Sequence, residues 1–172
     1  MGKIITPDSF NIGVEGIVHT EHYRNGELIG VDDTHNIVVD EGLSHTLSVV
    51  IAGGTQITAW YLGIYESNYT PLAADTAATI SANAIESTAY SELTRPAFTP
   101  GAVVSNSIDN SASRAVFTIN AARTMYGVFL ISESTKQSTL GTLMSAALFT
   151  NARSVIAGDQ LFVTYTLTAQ DV

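Results

Sequence analysis

The sequence predicts a mainly β protein: an antiparallel sandwich of jelly-roll type, with one short helix near residues 40–51 and an N-terminal hairpin arm. Three observations carry this reading. The first is the stretch Arg153 to Thr168, where Leu161, Val163, Tyr165 and Leu167 fall on one face and Phe162, Thr164, Thr166 and Thr168 on the other. A period of two, built from β-branched and aromatic residues, is the signature of a strand with one buried face. The second is recurrence, since comparable runs return at roughly 8–15-residue spacing between turn clusters, as in all-β domains. The third is that a single segment, Asp40 to Ile51, carries helical spacing.

In chain order, Phe10 to Tyr23 alternates in part, with Ile12, Val14, Gly16 and Val18 opposite Glu15, Ile17, His19 and Glu21. Asn25-Gly26 then gives a tight hairpin turn, and Leu28 to Val31 the return strand. This hairpin holds His19, His22 and several acids, unlike the Ala-, Thr- and Ser-rich remainder. It is therefore expected to be an arm over residues 1–34, attached to a sandwich domain over 35–172. Asp40 is expected to cap the helix, with Leu43, Leu47, Val50 and Ile51 on one apolar face and Gly53-Gly54 as its stop. Its Thr, Val and Ser content is weakly helical, so packing must hold it.

Ile57 to Tyr65, centred on Trp60, reads as a buried strand, and Asn68 to Thr79 as a loop. Thr79 to Ala84 fits either turn or helix, and Glu86 to Tyr90 a short strand. Pro96 makes Glu92 to Phe98 extended and places it at an edge. Val103–Ser107, Arg114–Ile119, Met125–Ile131 and Thr142–Phe149 supply further strands, and Tyr126 to Ile131, apolar on both faces, is expected at a sheet centre.

Composition narrows the function classes. The 172 residues are 45% hydrophobic and only 13% charged, so the chain has a real core and a surface of small polar residues. The net charge is −9, and the seven basic residues are dispersed, which argues against a nucleic-acid partner. The chain has no cysteine, which removes disulfides, thiolate metal sites and thiol nucleophiles, and fits folding in a reducing cytoplasm. Met1 to Ile5 lacks the apolar core of a signal peptide, and no run approaches a membrane span, so no membrane partner is expected.

The constellations able to carry chemistry are weak. His19-Thr20-Glu21-His22 is the densest group of metal-ligating residues, but on a strand His22 points away from His19 and Glu21. The acidic pairs Asp32-Asp33 and Asp40-Glu41 imply no opposed carboxylates, and Asp40-Glu41 suits a helix start. A Gly-x-Ser-x-Gly elbow and a Gly-rich phosphate loop are both missing from the sequence. Neither an enzyme nor a cofactor is expected. Trp60, Tyr61, Tyr65 and Tyr69 suit core or subunit contact better than a sugar platform. Arg95, a lone cation between Glu92 and an apolar strand, either pairs with an acid across an interface or is simply solvated, and its planar fork suits the first role. The interface candidates are thus Tyr23, Arg24, Trp60, Tyr65, Tyr69 and Arg95.

An ordered set of runs gives more direction: HNIVVDEGL at 35–43, TAWYLGIY at 58–65, NYTPLAADTA at 68–77, YSELTRP at 90–96, GTLMSAALF at 141–149, and the Ala157-Gly158-Asp159 strand. Together, over about residues 35 to 168, they resemble small structural proteins of tailed bacteriophages, similar to capsid cement or decoration proteins. The resemblance implies a virion location, a homo-oligomer (dimer or trimer), binding to the major capsid protein outside the shell, and no catalytic motif. A neck, tail or fibre component and a carbohydrate-binding module using Trp60 and Tyr65 are the competing expectations. If the hairpin is an arm, deleting residues 1–33 should leave a folded β domain that attaches poorly.

Overall fold

The computed structural model describes residues 12–171; Lys3, Phe10 and the rest of the expected arm before residue 12 lie outside them, as does Val172. Period-two patterning yields two five-stranded antiparallel sheets, consistent with a β-sandwich. The first sheet contains β1 (Ile12–Arg24) and β2 (Glu27–His35). The chain then enters the second sheet at β3 (Ile37–Val38), forms helix α1 (Asp40–Val50), and returns with β4 (Trp60–Tyr65). Helix α2 (Ala77–Asn83) and the edge strand β5 (Ala97–Phe98) follow. β6 (Ser107–Asp109) and β7 (Ala115–Thr118) belong to the first sheet. β8 (Arg123–Ile131) and β9 (Leu143–Val155) belong to the second, and β10 (Gln160–Asp171) ends in the first. The first sheet orders β2-β1-β10-β6, with β7 on β10's opening half, and the second orders β3-β9-β8-β4-β5.

Between the sheets lies a core of Val18, Leu62, Ile64, Phe117, Val128, Leu130, Phe149, Leu161, Val163 and Tyr165. The alternation read in the last strand holds: Leu161, Val163 and Tyr165 are fully buried, while Phe162, Thr164 and Thr166 are partly exposed on the outer face. β8 is central between β4 and β9, as its two apolar faces require. Val128 and Leu130 point to the inter-sheet core, whereas Phe129 and Ile131 join Val39, Tyr65, Ala77 and Ile80 in a second cluster under α2. The ambiguous stretch near Thr79 is thus helix, held by Ile80 and opened by a Thr76–Thr79 capping box.

Three expectations are corrected. The hairpin is not an arm: β1 lies between β2 and β10 and pairs with β10 along its whole length, from Ile12↔Asp171 to Tyr23↔Gln160. Val18 is completely buried, so the domain boundary at 34 falls inside one core. Composition misled because an acidic, His-bearing outer face can alternate with an inner face that is fully used.

The second correction concerns α1. Val39, not Asp40, is its N-cap, and the apolar face read as its packing face points outward. Leu47, Val50 and Ile51 are 64%, 71% and 78% exposed. The helix is held from its other side, where Gly42 lies so close to the Met144 backbone that a Cβ would collide. The Glu41 carboxylate accepts from the backbone N–H groups of Ala77 (2.8 Å) and Leu143 (2.7 Å). The ring of His45 meets Trp60 edge-on at 5.9 Å.

The third is smaller. Trp60 opens β4 instead of centring it, with 57–59 outside the strand, and Glu86 and Tyr90 make only isolated bridges, to Tyr65 and Ile119.

A candidate interaction surface

The six interface candidates separate cleanly. Arg95 is the most buried cation of the described chain, 1% exposed. Its guanidinium forks onto the Glu86 carboxylate (Nε–Oε1 2.8 Å, Nη2–Oε2 2.7 Å) and also donates to the Glu133 carbonyl. Glu86 accepts further from Ser81 Oγ and the Gln137 N–H, so the pair is saturated, and the guanidinium carbon sits 5.3 Å from the Phe129 ring centroid. Arg95 therefore ties the loop before β5 to the β8–β9 connection; it does not reach across an interface. Its expected neighbour Glu92 instead accepts from the Thr118 N–H.

Arg24 is also spent internally. It grips Asp159 through Nε (2.9 Å) and Nη2 (2.7 Å), while His22 Nε2 lies 2.8 Å from the same carboxylate and the Ile156 N–H donates to it. The Arg24 guanidinium, with the Ile156 N–H and His22, outweighs burial and holds the Asp159 carboxyl well below the usual carboxylate range. This cluster fastens the end of β1 to the β9–β10 turn. Nothing in the sequence pairs Asp159 with a strand more than a hundred residues away.

Tyr65 and Tyr69 are structural as well. Tyr65 is fully buried, and its hydroxyl donates to the Ala147 carbonyl at 2.8 Å; burial pushes its pKa strongly upward. The Tyr69 hydroxyl donates to Asp75 (2.9 Å), which also accepts from the Leu72 N–H and so shapes the loop before α2. Trp60 and Tyr65 stand an odd number of residues apart on one strand, so they face opposite layers. A joint sugar-stacking platform is incompatible with that geometry.

Tyr23 alone among the six sits on the outer side of the first sheet, a broad exposed face. There Ile17, His19, Glu21 and Tyr23 of β1 stand beside Thr166, Thr164, Phe162 and Gln160 of β10. Tyr23 meets Phe162 edge-on at 5.2 Å, and Arg114 pairs with Glu21 while lying 4.7 Å over the Phe162 ring. His19 Nδ1 is 2.7 Å from Asp33. His19 and His22 project to opposite faces, as the strand period demands. Around this polar network Ile17, Leu28, Ile29 and Val31 are each about half exposed.

A second exposed region, of which the sequence reading named only Trp60 as an interface candidate, lies at α1 and the neighbouring end of the sandwich. A groove of about 320 Å³ is lined by Trp60, Phe98, Ile108, Met144 and Leu167. A neighbouring one of about 400 Å³ shares Ile108, Met144 and Leu167 and extends to Val14, Thr46 and Val103. Residues 42–65 contain no Asp, Glu, Lys or Arg, a signal that was available in the sequence.

All six described basic side chains are engaged within the chain: Arg24, Arg95 and Arg114 as above, Arg123 with Glu66, Arg153 with Asp32, and Lys136 with the Tyr90 carbonyl and ring. Among the described residues no helix is long and apolar enough to cross a membrane. No protein-family model and no curated protein sequence matches the chain.

Proposed function

We propose that this chain is a non-enzymatic virion structural protein, a capsid cement or decoration protein of the tailed-phage kind that binds the major capsid protein outside the shell and stabilises contacts between capsomers. The observation that carries the reading is where apolar side chains remain exposed. They concentrate on two faces, the outer side of the first sheet and the α1 end, with Leu72, Ile85, Leu93, Leu140 and Ile156 scattered over connecting segments, while the buried acids Asp32, Asp75, Glu86 and Asp159 are consumed in internal bonds. Apolar surface rimmed by polar groups marks contact with other macromolecules. A cement protein bridges subunits, so it needs a second contact besides the one on the shell. The chain also crosses between sheets after β2, β5, β7 and β9, which suits a jelly-roll-type sandwich. Net negative charge and internally paired cations favour the outside of a shell over packaged nucleic acid.

Purified particles test the proposal. A cement protein is present in copy number comparable to the major capsid subunit, and shells lacking it swell or melt at lower temperature. A handful of copies per particle would move the protein to the neck, tail or fibre, and shells equally stable with and without it would remove the cement role.

A further inference from the structure

We propose that two copies of this chain associate about a two-fold axis through the outward apolar stripe of α1. The helix is inverted relative to an ordinary surface helix, which buries its apolar stripe. Its inner side is anchored by Gly42 and His45, and Leu43, Leu47, Val50 and Ile51 face out. Neither the Glu41 tethers to Ala77 and Leu143 nor the Gly42 approach needs those four side chains.

Charge selects the occupant. Each copy carries −9, so self-contact is favourable only where carboxylates are not brought together. The outer face of the first sheet fails this condition, since Glu15, Glu27 and Asp33 are exposed on β1 and β2. The α1 region comes closer to meeting it: residues 42–65 are free of Asp, Glu, Lys and Arg, and the exposed Asp40 stands at the very start of the helix, beyond the Leu43–Ile51 stripe. A cationic partner would meet Asp40 alone, at the end of the stripe, whereas a second copy presents the same apolar stripe and, in an antiparallel pair, keeps the two Asp40 side chains at opposite ends of the contact.

Spacing fixes the geometry. An isologous contact pairs residue i with j and j with i. Residues 43 and 51 are equidistant from 47, so an antiparallel pair sets Leu47 against its own counterpart and Leu43 against Ile51 of the other copy. Eleven helical residues give about 16 Å of contact. Val103, two-thirds exposed on the groove that Thr46 also lines, widens the apolar area beyond the helix.

The inference does not rest on the cement reading, since it is read on purified full-length chain with no particle present. By sedimentation velocity the wild type should be a dimer that dissociates on dilution. Leu47→Asp should weaken association about a hundredfold or more, because two unpaired carboxylates would meet at the axis, with circular dichroism and melting temperature unchanged. In a chain with no native cysteine, Leu47→Cys should oxidise to a disulfide-linked dimer, while Leu93→Cys, at a 96% exposed position, should not. A wild type that stays monomeric at its highest soluble concentration overturns the proposal. So does a dimer that survives Leu47→Asp, or cross-linking at 47 no faster than at 93.

Discussion

At the level of single residues, the polar side chains that stand out in the sequence act as internal fasteners. Arg95 and Glu86 are both inaccessible and bond each other twice, so removing one strands the other. Arg95→Ala should cost about 3–5 kcal/mol in urea denaturation, and Arg95→Met with Glu86→Leu should recover most of that loss, since a buried pair and an apolar pair are nearly equivalent once neither charge is orphaned. A double variant no more stable than the single one would place the cost in lost packing. Asp159 offers a pH test. Its folded carboxyl titrates below the ordinary value, so its contribution is full above the unfolded value near 4 and is lost as pH falls through the folded value. Asp159→Asn should therefore cost about 2 kcal/mol at neutral pH, and the gap to wild type should narrow as pH drops below about 4. A gap that stays constant down to acid unfolding would mean that the charge contributes nothing. Neither pair was legible in the sequence: an isolated Arg beside a Pro announces that it needs a partner, but the backbone path alone chooses Glu86 over the nearer Glu92.

At the level of elements, the strands were legible and their neighbours were not. Period-two alternation in β10 and the double-sided apolar run in β8 report burial, which is a local property of the sequence. Pairing is non-local, so nothing in residues 12–24 announces that they lie against residues 160–171. The hairpin's role consequently reverses. Deleting residues 1–35 removes β1 and β2 together, leaves β10 without the strand paired along its length and uncovers Val163 and Tyr165; the product should lack a cooperative unfolding transition and bind a hydrophobic dye. A truncated chain that melts cooperatively would restore the arm. The helix shows the complementary failure. Spacing identified the apolar stripe of α1 correctly, but amphipathicity does not say whether a stripe faces its own core or another molecule. What decides it is Gly42, whose missing side chain lets the opposite face approach Met144. Gly42→Val should push the helix away, costing about 1–3 kcal/mol, and should shift the fluorescence of Trp60, the chain's single tryptophan, as the His45 ring leaves it.

At the level of the whole molecule, the sandwich carries two exposed faces of different chemistry, and the proposed roles require them to be separable. The outer face of the first sheet mixes Ile17 and Val31 with the Glu21–Arg114 and His19–Asp33 pairs, so a partner there must match charge as well as shape. The α1 end is apolar, with its exposed acid Asp40 at the start of the helix, and is suited to a second copy. Ile17 and Val31 are each 45% exposed on paired strands, so Ile17→Lys with Val31→Lys should leave the fold intact. If the sheet face meets the shell, that variant should remain dimeric in solution yet fail to protect particles from heat. Leu47→Asp should do the reverse: it is monomeric in solution, but still binds particles, more weakly because one attachment point replaces two. Sedimentation of the free protein and co-sedimentation with stripped shells read the two properties independently. Should Ile17→Lys with Val31→Lys bind shells as well as wild type does, the sheet face is not the attachment surface. Shell binding would then have to be sought at the α1 end, where it would compete with self-association, and dimer formation and shell protection would oppose each other as protein concentration rises.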